Sequence, residues 1–256
     1  MSTLSDLIYE KSKDLIDEAY TKGRNAGGYG EGFEAGKQAE YDAFWDGYQD
    51  GGNRRNYLYA FSYSGWNNTT FKPKYPIIAT GSAAYMFDGC FLGNQAQADY
   101  DFVAEGINLD LSGAATITYI FRNCKGIKRV GVLDTTSCND LNRPFFSSNI
   151  ETIDTLKVKE STVYDNTFAQ ALKLKYITID GVIGNSISFS DCSLLEVSSM
   201  DSIYEHLKDY TSASGTYTLT LHASAWARWD AAKPDIVAQY GSMKNYVTAT
   251  KGWGVS

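Results

Sequence analysis

The sequence has few of the residues on which catalysis and metal binding most often depend. Its 256 residues include two histidines, His206 and His222, and four cysteines, with no Cys-x-x-Cys pair among them. A nucleophile needs a neighbouring base, and neither histidine lies in a recognised nucleophile motif. Structural zinc sites need grouped Cys and His ligands, which are dispersed here. We therefore expect no enzyme, no metal site and no cofactor.

A surplus of positive charge and long apolar runs are also missing. The formal net charge is -7, whereas binding to phosphate backbones needs a Lys and Arg surplus on one face. No stretch approaches the roughly 18 apolar residues of a membrane span. The first residues do not have the pattern of a secretory signal. These absences predict no nucleic-acid partner, no membrane span, and a location reached without a signal, such as a phage particle released by lysis.

What the sequence does contain is a recurring Phe-x-x-Cys phrase in its middle. Two copies are looser, with Ala171 and Asn149 in the Cys position. The leading phenylalanines are Phe87, Phe121, Phe146, Phe168 and Phe189. They lie 34, 25, 22 and 21 positions apart. Recurrence at such periods is typical of repeat proteins, in which each unit buries its apolar side against its neighbours.

Short alternating apolar pairs follow the best copies of the phrase. The pairs are Val130/Val132, Leu156/Val158 and Ile177/Ile179. They predict a ladder of strands in which these pairs stack in register. The phenylalanines, cysteines and leucines of the phrase would then fill the interior, with the thiols acting as small buried hydrophobic groups.

Residues 1–52 predict a helical, glycine- and aromatic-rich attachment segment. Apolar residues recur at helical spacing near its start, and its glycines recur at every fourth position, which allows another backbone to approach closely. The candidate assembly contacts are Leu4, Leu7, Ile8, Leu15, Gly28, Gly32 and Gly36. An apolar helix stripe must be buried. Self-association, docking into a larger assembly and packing on its own domain all satisfy this requirement.

The rest of the chain divides into a linker at 53–85, the repeats at 86–205 and a C-terminal cap at 206–256. The tryptophans all lie outside the repeats, and four of the five are candidate surface-binding aromatics: Trp66, Trp226, Trp229 and Trp253. Aromatic rings can stack on sugars, and they also anchor protein interfaces. The alternative for these tryptophans is burial within the domain and its caps.

The repeats resemble leucine-rich repeats of the BspA-like type, which occur in surface and virion proteins of gut Firmicutes and their phages. The copies that begin at Phe121 and Phe168 carry the F-x-x-C-x-x-L-x-x-I-x-I phrase best. The end of the chain, from Thr218 to Ser256, is similar to the terminal segment of such proteins. The resemblance implies a mixed α/β fold: a short leucine-rich-repeat solenoid with an N-terminal helical attachment segment and a C-terminal α/β cap. It implies no catalytic residues.

The same resemblance implies a non-enzymatic phage virion structural protein, in a tail, a fibre or a capsid decoration. Its repeat domain would contact a host-cell surface protein or glycan, or other virion subunits, and we expect it to form a homo-oligomer. The alternative is a bacterial surface adhesin or interaction module. The small number of repeats and the absence of a wall-sorting tail favour the virion. A glycan hydrolase is a minor alternative, because 30 acidic residues allow many carboxylate pairs.

Overall fold

The computed structural model describes residues 77–79, 81–89, 109–124, 128–212 and 217–256. All of these except Ile77 belong to one compact unit. The predicted attachment segment at 1–52 lies outside the described residues. So do its candidate contacts and one of the tryptophans: Leu4, Leu7, Ile8, Leu15, Gly28, Gly32, Gly36 and Trp66.

The described residues contain eight short strands in three separate sheets. The first sheet pairs β1 (Ile77–Ile78) with β2 (Leu109–Asp110). The second has the order β3 (Arg129–Asp134), β4 (Thr152–Val158), β5 (Tyr176–Gly181), and the third has the order β6 (Ile187–Phe189), β7 (Thr218–Leu221), β8 (Gly254–Val255). Both three-stranded sheets are parallel throughout.

Four helices are described, and all lie in the C-terminal part: α1 (Val197–His206), α2 (Ala223–Ala232), α3 (Pro234–Tyr240) and α4 (Met243–Lys251). Local sequence explains their limits. Pro234 opens α3, a position where the missing N–H costs nothing. The Ser242 hydroxyl caps α4 by accepting from the N–H of Asn245. Gly241 and Gly252 end α3 and α4 in the left-handed conformation that glycine favours.

Two buried rows hold sheet β3–β4–β5 on the core. One row aligns Val130, Ile153 and Ile177, and the other aligns Leu133, Leu156 and Ile179. The prediction that Val130/Val132, Leu156/Val158 and Ile177/Ile179 stack in register is therefore wrong, since Leu156 lies opposite Ile179 and Val158 lies opposite Gly181. Val132 lies opposite Thr155 and is 54% exposed. The reason lies in β3 itself: its buried residues Val130 and Leu133 are three positions apart, as are Ile153 and Leu156 on β4, so one extra residue moves Val132 to the other face.

A stack of phenylalanine rings runs through the core beside the sheets. Phe87, Phe121, Phe145, Phe168 and Phe189 follow one another at centroid distances of 4.3 to 6.1 Å with nearly parallel planes. Each is at most 1% exposed, and Cys124 and Cys192 are fully buried beside them. The prediction that the phrase fills the interior is confirmed for these residues. Phe145 takes the position that we assigned to Phe146.

A repeated turn presents each stacked ring. Four non-glycine residues two positions before the rings have positive φ, namely Tyr85, Tyr119, Arg143 and Asn166. Gly89, Asn123, Ser147 and Gln170 have positive φ two positions after the rings. Successive turns are joined by parallel backbone bonds, such as that from the Phe87 N–H to the Ile120 carbonyl at 2.9 Å. The Gln170 N–H instead bonds the Asp191 carboxylate at 2.7 Å.

The predicted fold class, a short leucine-rich-repeat solenoid between an N-terminal helical segment and an α/β cap, is contradicted. The described strands form separate short parallel sheets with four short helices. The sheet stops at β5 because α1 follows it. The hydroxyls of Ser199 and Ser202 accept the N–H groups of Ile177 and Ile179 at 2.9 Å each, where another strand would pair. The phrase thus predicts stacking within the core but not sheet continuity.

Candidate functional site

Sheet β3–β4–β5 has one buried face and one exposed face, although parallel sheets usually have both faces covered. We call the exposed side the open face. Its residues are Arg129, Val132, Asp134, Thr152, Asp154, Thr155, Lys157, Tyr176, Thr178 and Asp180. Val132 is 54% and Tyr176 48% exposed. Nothing in the described part of the chain therefore covers this face.

One end of the open face carries a row of alternating charge. Asp134, Lys157 and Asp180 lie opposite one another on the three strands, about 4.8 Å apart from strand to strand. The Asp134 carboxylate also accepts the Thr136 hydroxyl at 2.6 Å. The Asp180 carboxylate forms no hydrogen bond or ion pair with any residue that the structure describes. This row has one more negative than positive charge, and Asp180 is free to bind a partner.

The other end of the open face holds an ion pair and an aromatic ring. The Arg129 guanidinium donates to both Asp154 oxygens, with Nε 2.9 Å from Oδ1 and Nη2 2.9 Å from Oδ2. An exposed pair of this kind adds little stability, but its two-point geometry fixes both side chains. Tyr176 lies on the neighbouring strand, level with Arg129 and Thr152. A partner that binds at this end would contact the ordered Arg129–Asp154 ion pair and the exposed Tyr176 ring.

Gly181 sets the spacing at the charged end. Its φ is +112°, and a Cβ placed there would lie 2.0 Å from the Val158 carbonyl oxygen. Only glycine allows β5 to approach β4 this closely. Asp180, the preceding residue, is thereby held level with Lys157.

The described cysteines are structural. The Cys124 thiol donates to the Phe87 carbonyl at 2.8 Å, and the Cys138 thiol to the Ala114 carbonyl at 3.0 Å. Burial raises the pKa of Cys138 to about 11 and raises the pKa of Cys192 further. Burial therefore favours the protonated form of the Cys138 and Cys192 thiols, which is the less reactive form. Cys90 lies outside the described residues.

Both histidines bind nearby backbone and hydroxyl groups. His206 Nδ1 lies 2.8 Å from the Ser202 carbonyl oxygen within α1. His222 Nδ1 accepts the Ser224 N–H at 3.1 Å and caps α2. Among the residues that the structure describes, no three His, Cys, Asp or Glu side chains are grouped to hold a metal ion. None of the described helices is long and apolar enough to span a membrane.

Three of the four candidate surface tryptophans are buried. Trp229 and Trp253 are fully buried and Trp226 is 4% exposed. Each indole N–H has an internal acceptor, as in the 2.8 Å bond from Trp253 to the Lys208 carbonyl. The expectation of exposed platforms is therefore corrected for these three residues. Sequence reasoning missed Tyr176 and Val132, although the alternation of Tyr176, Thr178 and Asp180 with Ile177 and Ile179 marks the outer side of β5.

No protein-family model matches this sequence, and no curated protein or solved structure matches it either. The resemblance to BspA-like proteins therefore rests on the sequence alone: the recurring phrase, the C-terminal segment, and the stretches at 39–46 and 71–75 that are similar to the head of those proteins. The geometry of the open face stands independently of that resemblance.

Proposed function

We propose that this chain is a non-enzymatic phage virion protein that contacts its partner through the open face of sheet β3–β4–β5. The observation that supports this function best is the exposure of Val132 and Tyr176 on a parallel sheet whose opposite side is buried. Exposed apolar and aromatic groups on a rigid base are typical of contact surfaces.

The open face suits recognition because its side chains are held in fixed positions. The two buried rows fix the strands from below, and bidentate pairing fixes Arg129 and Asp154. Little side-chain entropy is then lost on binding, which favours affinity. Threonine hydroxyls and charged groups on the central strand β4 lie between Val132 and Tyr176, so polar groups of a partner can be satisfied beside the two apolar contacts.

The virion location is supported by the resemblance to repeat proteins of gut Firmicutes phages. The partner is a host-cell surface protein or glycan, or another virion subunit. Closed homo-oligomers are the common form of such parts, and we include self-association in the proposal.

Mass spectrometry of purified phage particles from the producing culture tests this function. Stoichiometric recovery of the chain with the particles is the expected result. Recovery in the cell envelope fraction, with none in particles, would contradict the virion location and favour the surface adhesin. Release of reducing ends from host polysaccharide by the purified chain would instead contradict a non-enzymatic role.

A further inference from the structure

Three tyrosines from three different helices meet at the surface of the C-terminal part. Tyr204 of α1 and Tyr240 of α3 both contact Tyr246 of α4, each at a centroid distance of 5.1 Å. All three rings are half-buried. We call this group the tyrosine cluster. Because the rings support one another, their orientations are set before any ligand arrives.

Helix α3 leaves this cluster accessible. It has no buried residue, and Ile236 lies one turn before Tyr240 on the same side of the helix. The Tyr240 hydroxyl has no hydrogen-bond partner among the residues that the structure describes. A ligand bound here could therefore form a hydrogen bond with the Tyr240 hydroxyl and contact the unburied side of α3.

The hydrogen bonds around Tyr204 determine what its hydroxyl can offer. The Thr250 hydroxyl donates to the Tyr246 carbonyl at 2.6 Å. Its single hydrogen is then used, so the Tyr204 O–H, 3.1 Å away, donates to the Thr250 oxygen. A hydrogen bond to Tyr204 raises the pKa of Tyr246, so the Tyr246 O–H donates to the Tyr204 oxygen. One lone pair of that oxygen remains to accept a hydrogen bond from a sugar hydroxyl.

Lys251 adds a positive charge beside the cluster. Its ammonium nitrogen lies 5.1 Å from the centre of the Tyr204 ring and donates to the Leu207 carbonyl at 3.0 Å. A second, longer contact reaches the Glu205 carbonyl at 3.5 Å. Lys251 forms no ion pair with a carboxylate in the described part of the chain. Hydrogen bonds from Thr211, with a smaller contribution from Lys251, lower the pKa of Asp209. Asp209 therefore offsets part of the Lys251 charge, and the remainder can attract an anionic group on a ligand.

The size of the cluster limits its occupant. Three half-buried tyrosines offer on the order of 200–300 Å², whereas a stable protein interface buries about 800 Å² on each partner. A second copy of the chain or another protein would gain too little here. One or two sugar rings match this area, because the C–H face of a sugar stacks on an aromatic ring.

We propose that the tyrosine cluster and Lys251 bind an anionic sugar residue of a polysaccharide. The rings stack against its C–H face, Tyr204 and Tyr240 bond its hydroxyls, and Lys251 binds its carboxylate or phosphate. This site is separate from the open face, and its ligand class deepens the proposed role in contacting a host surface.

Titration of the full chain with three defined probes, followed by saturation-transfer NMR, tests the site. The probes are a galacturonic acid trimer, a neutral galactose trimer and galactose 6-phosphate. We expect both anionic probes, or one of them, to bind more tightly than the neutral trimer. The comparison of carboxylate with phosphate identifies the anionic group.

Two variants and a control locate the binding. Tyr240→Ala on the unburied side of α3 should weaken binding of the anionic probe about threefold to tenfold. Lys251→Met should remove the preference for anionic over neutral sugar. Tyr176→Ala, on the open face, should change neither. The proposed site would be contradicted by equal binding of neutral and anionic probes, by no binding at millimolar concentration, or by unchanged binding in both cluster variants. None of these results would test the proposed role of the open face.

Discussion

The Ser199 hydroxyl accepts the Ile177 backbone N–H at 2.9 Å and donates to the Lys175 carbonyl at 3.0 Å. A helix side chain thus occupies the place of a neighbouring strand. Because Ser199 and Ile177 are both buried, water cannot replace the bond. This contact ends the parallel sheet at β5 and prevents its edge from pairing with another chain.

Ser199→Ala should lower the free energy of unfolding by about 1–3 kcal/mol, since it leaves the buried Ile177 N–H unsatisfied, whereas the Lys175 carbonyl still accepts the Glu196 N–H at 2.9 Å. Urea unfolding of the purified chain measures this change. Ser190→Ala is the matched control, because Ser190 is exposed, and it should cost less than about 0.5 kcal/mol. Equal effects of the two substitutions would show that Ser199 does not close the sheet edge.

Gly181→Ala should be strongly destabilising, by at least about 2 kcal/mol, because the new Cβ meets the Val158 carbonyl at a positive φ. Gly254→Ala is a suitable comparison. A Cβ at Gly254 would come no closer than 3.4 Å to Thr218 Oγ1, and we expect a change below about 1 kcal/mol. Thermal unfolding of both variants distinguishes the positions, and a Gly181→Ala variant as stable as the parent would contradict the close approach of β4 and β5.

Phe145→Ala should cost about 3–5 kcal/mol, because the Phe145 ring is buried between Phe121 and Phe168. Phe146→Ala should cost much less. Its ring is half-buried and meets Tyr119 edge-on. Chemical denaturation of the two variants tests which phenylalanine belongs to the stack. A larger decrease in the free energy of unfolding for Phe146→Ala than for Phe145→Ala would show that Phe146 belongs to the stack.

The stability that Cys138 contributes should fall at alkaline pH. Its pKa is raised from 9.0 to about 11 in the folded chain, so between these values the unfolded chain has released a proton that the folded chain keeps. The free energy of unfolding must then decrease as pH rises through this range, by up to about 2 kcal/mol for this thiol.

Cys138→Ala removes this titration and serves as the control for it. The difference in unfolding free energy between the parent and Cys138→Ala should shrink from pH 8 to pH 10.5. A difference that stays constant across this range would show that the Cys138 thiol is not protected by burial.

The parts that sequence predicted well are local and repeated. Each copy of the phrase meets the copy before it in the same way, so the spacing of Phe121, Phe168 and Phe189 was enough to predict buried rings, and the structure adds that these rings stack. The adjacent Phe145 and Phe146 are the exception. They are chemically identical, and the positive φ of Arg143 and of Ser147, two positions before and after Phe145, places Phe145 rather than Phe146 in the stack.

The parts that sequence could not predict depend on contacts between distant segments. Serine is common in turns and caps, and nothing in the pattern of Ser199 and Ser202 indicates that they bond the edge of β5. The burial of Trp253 likewise depends on Tyr210 and Tyr217, which precede it by 43 and 36 positions. The open face was missed because β3 has an extra residue between its buried Val130 and Leu133, which turns Val132 outward.

The infectious titre of phage particles that carry substituted chains tests the central claim most directly. Val132→Asp combined with Tyr176→Ala changes the open face, while Leu172→Asp changes a residue that is 58% exposed in a turn elsewhere. If the open face is the contact surface, the double variant should lower the titre at least tenfold although the isolated chain unfolds at the same temperature as the parent. A normal titre for the double variant, or an equal loss for Leu172→Asp, would contradict it.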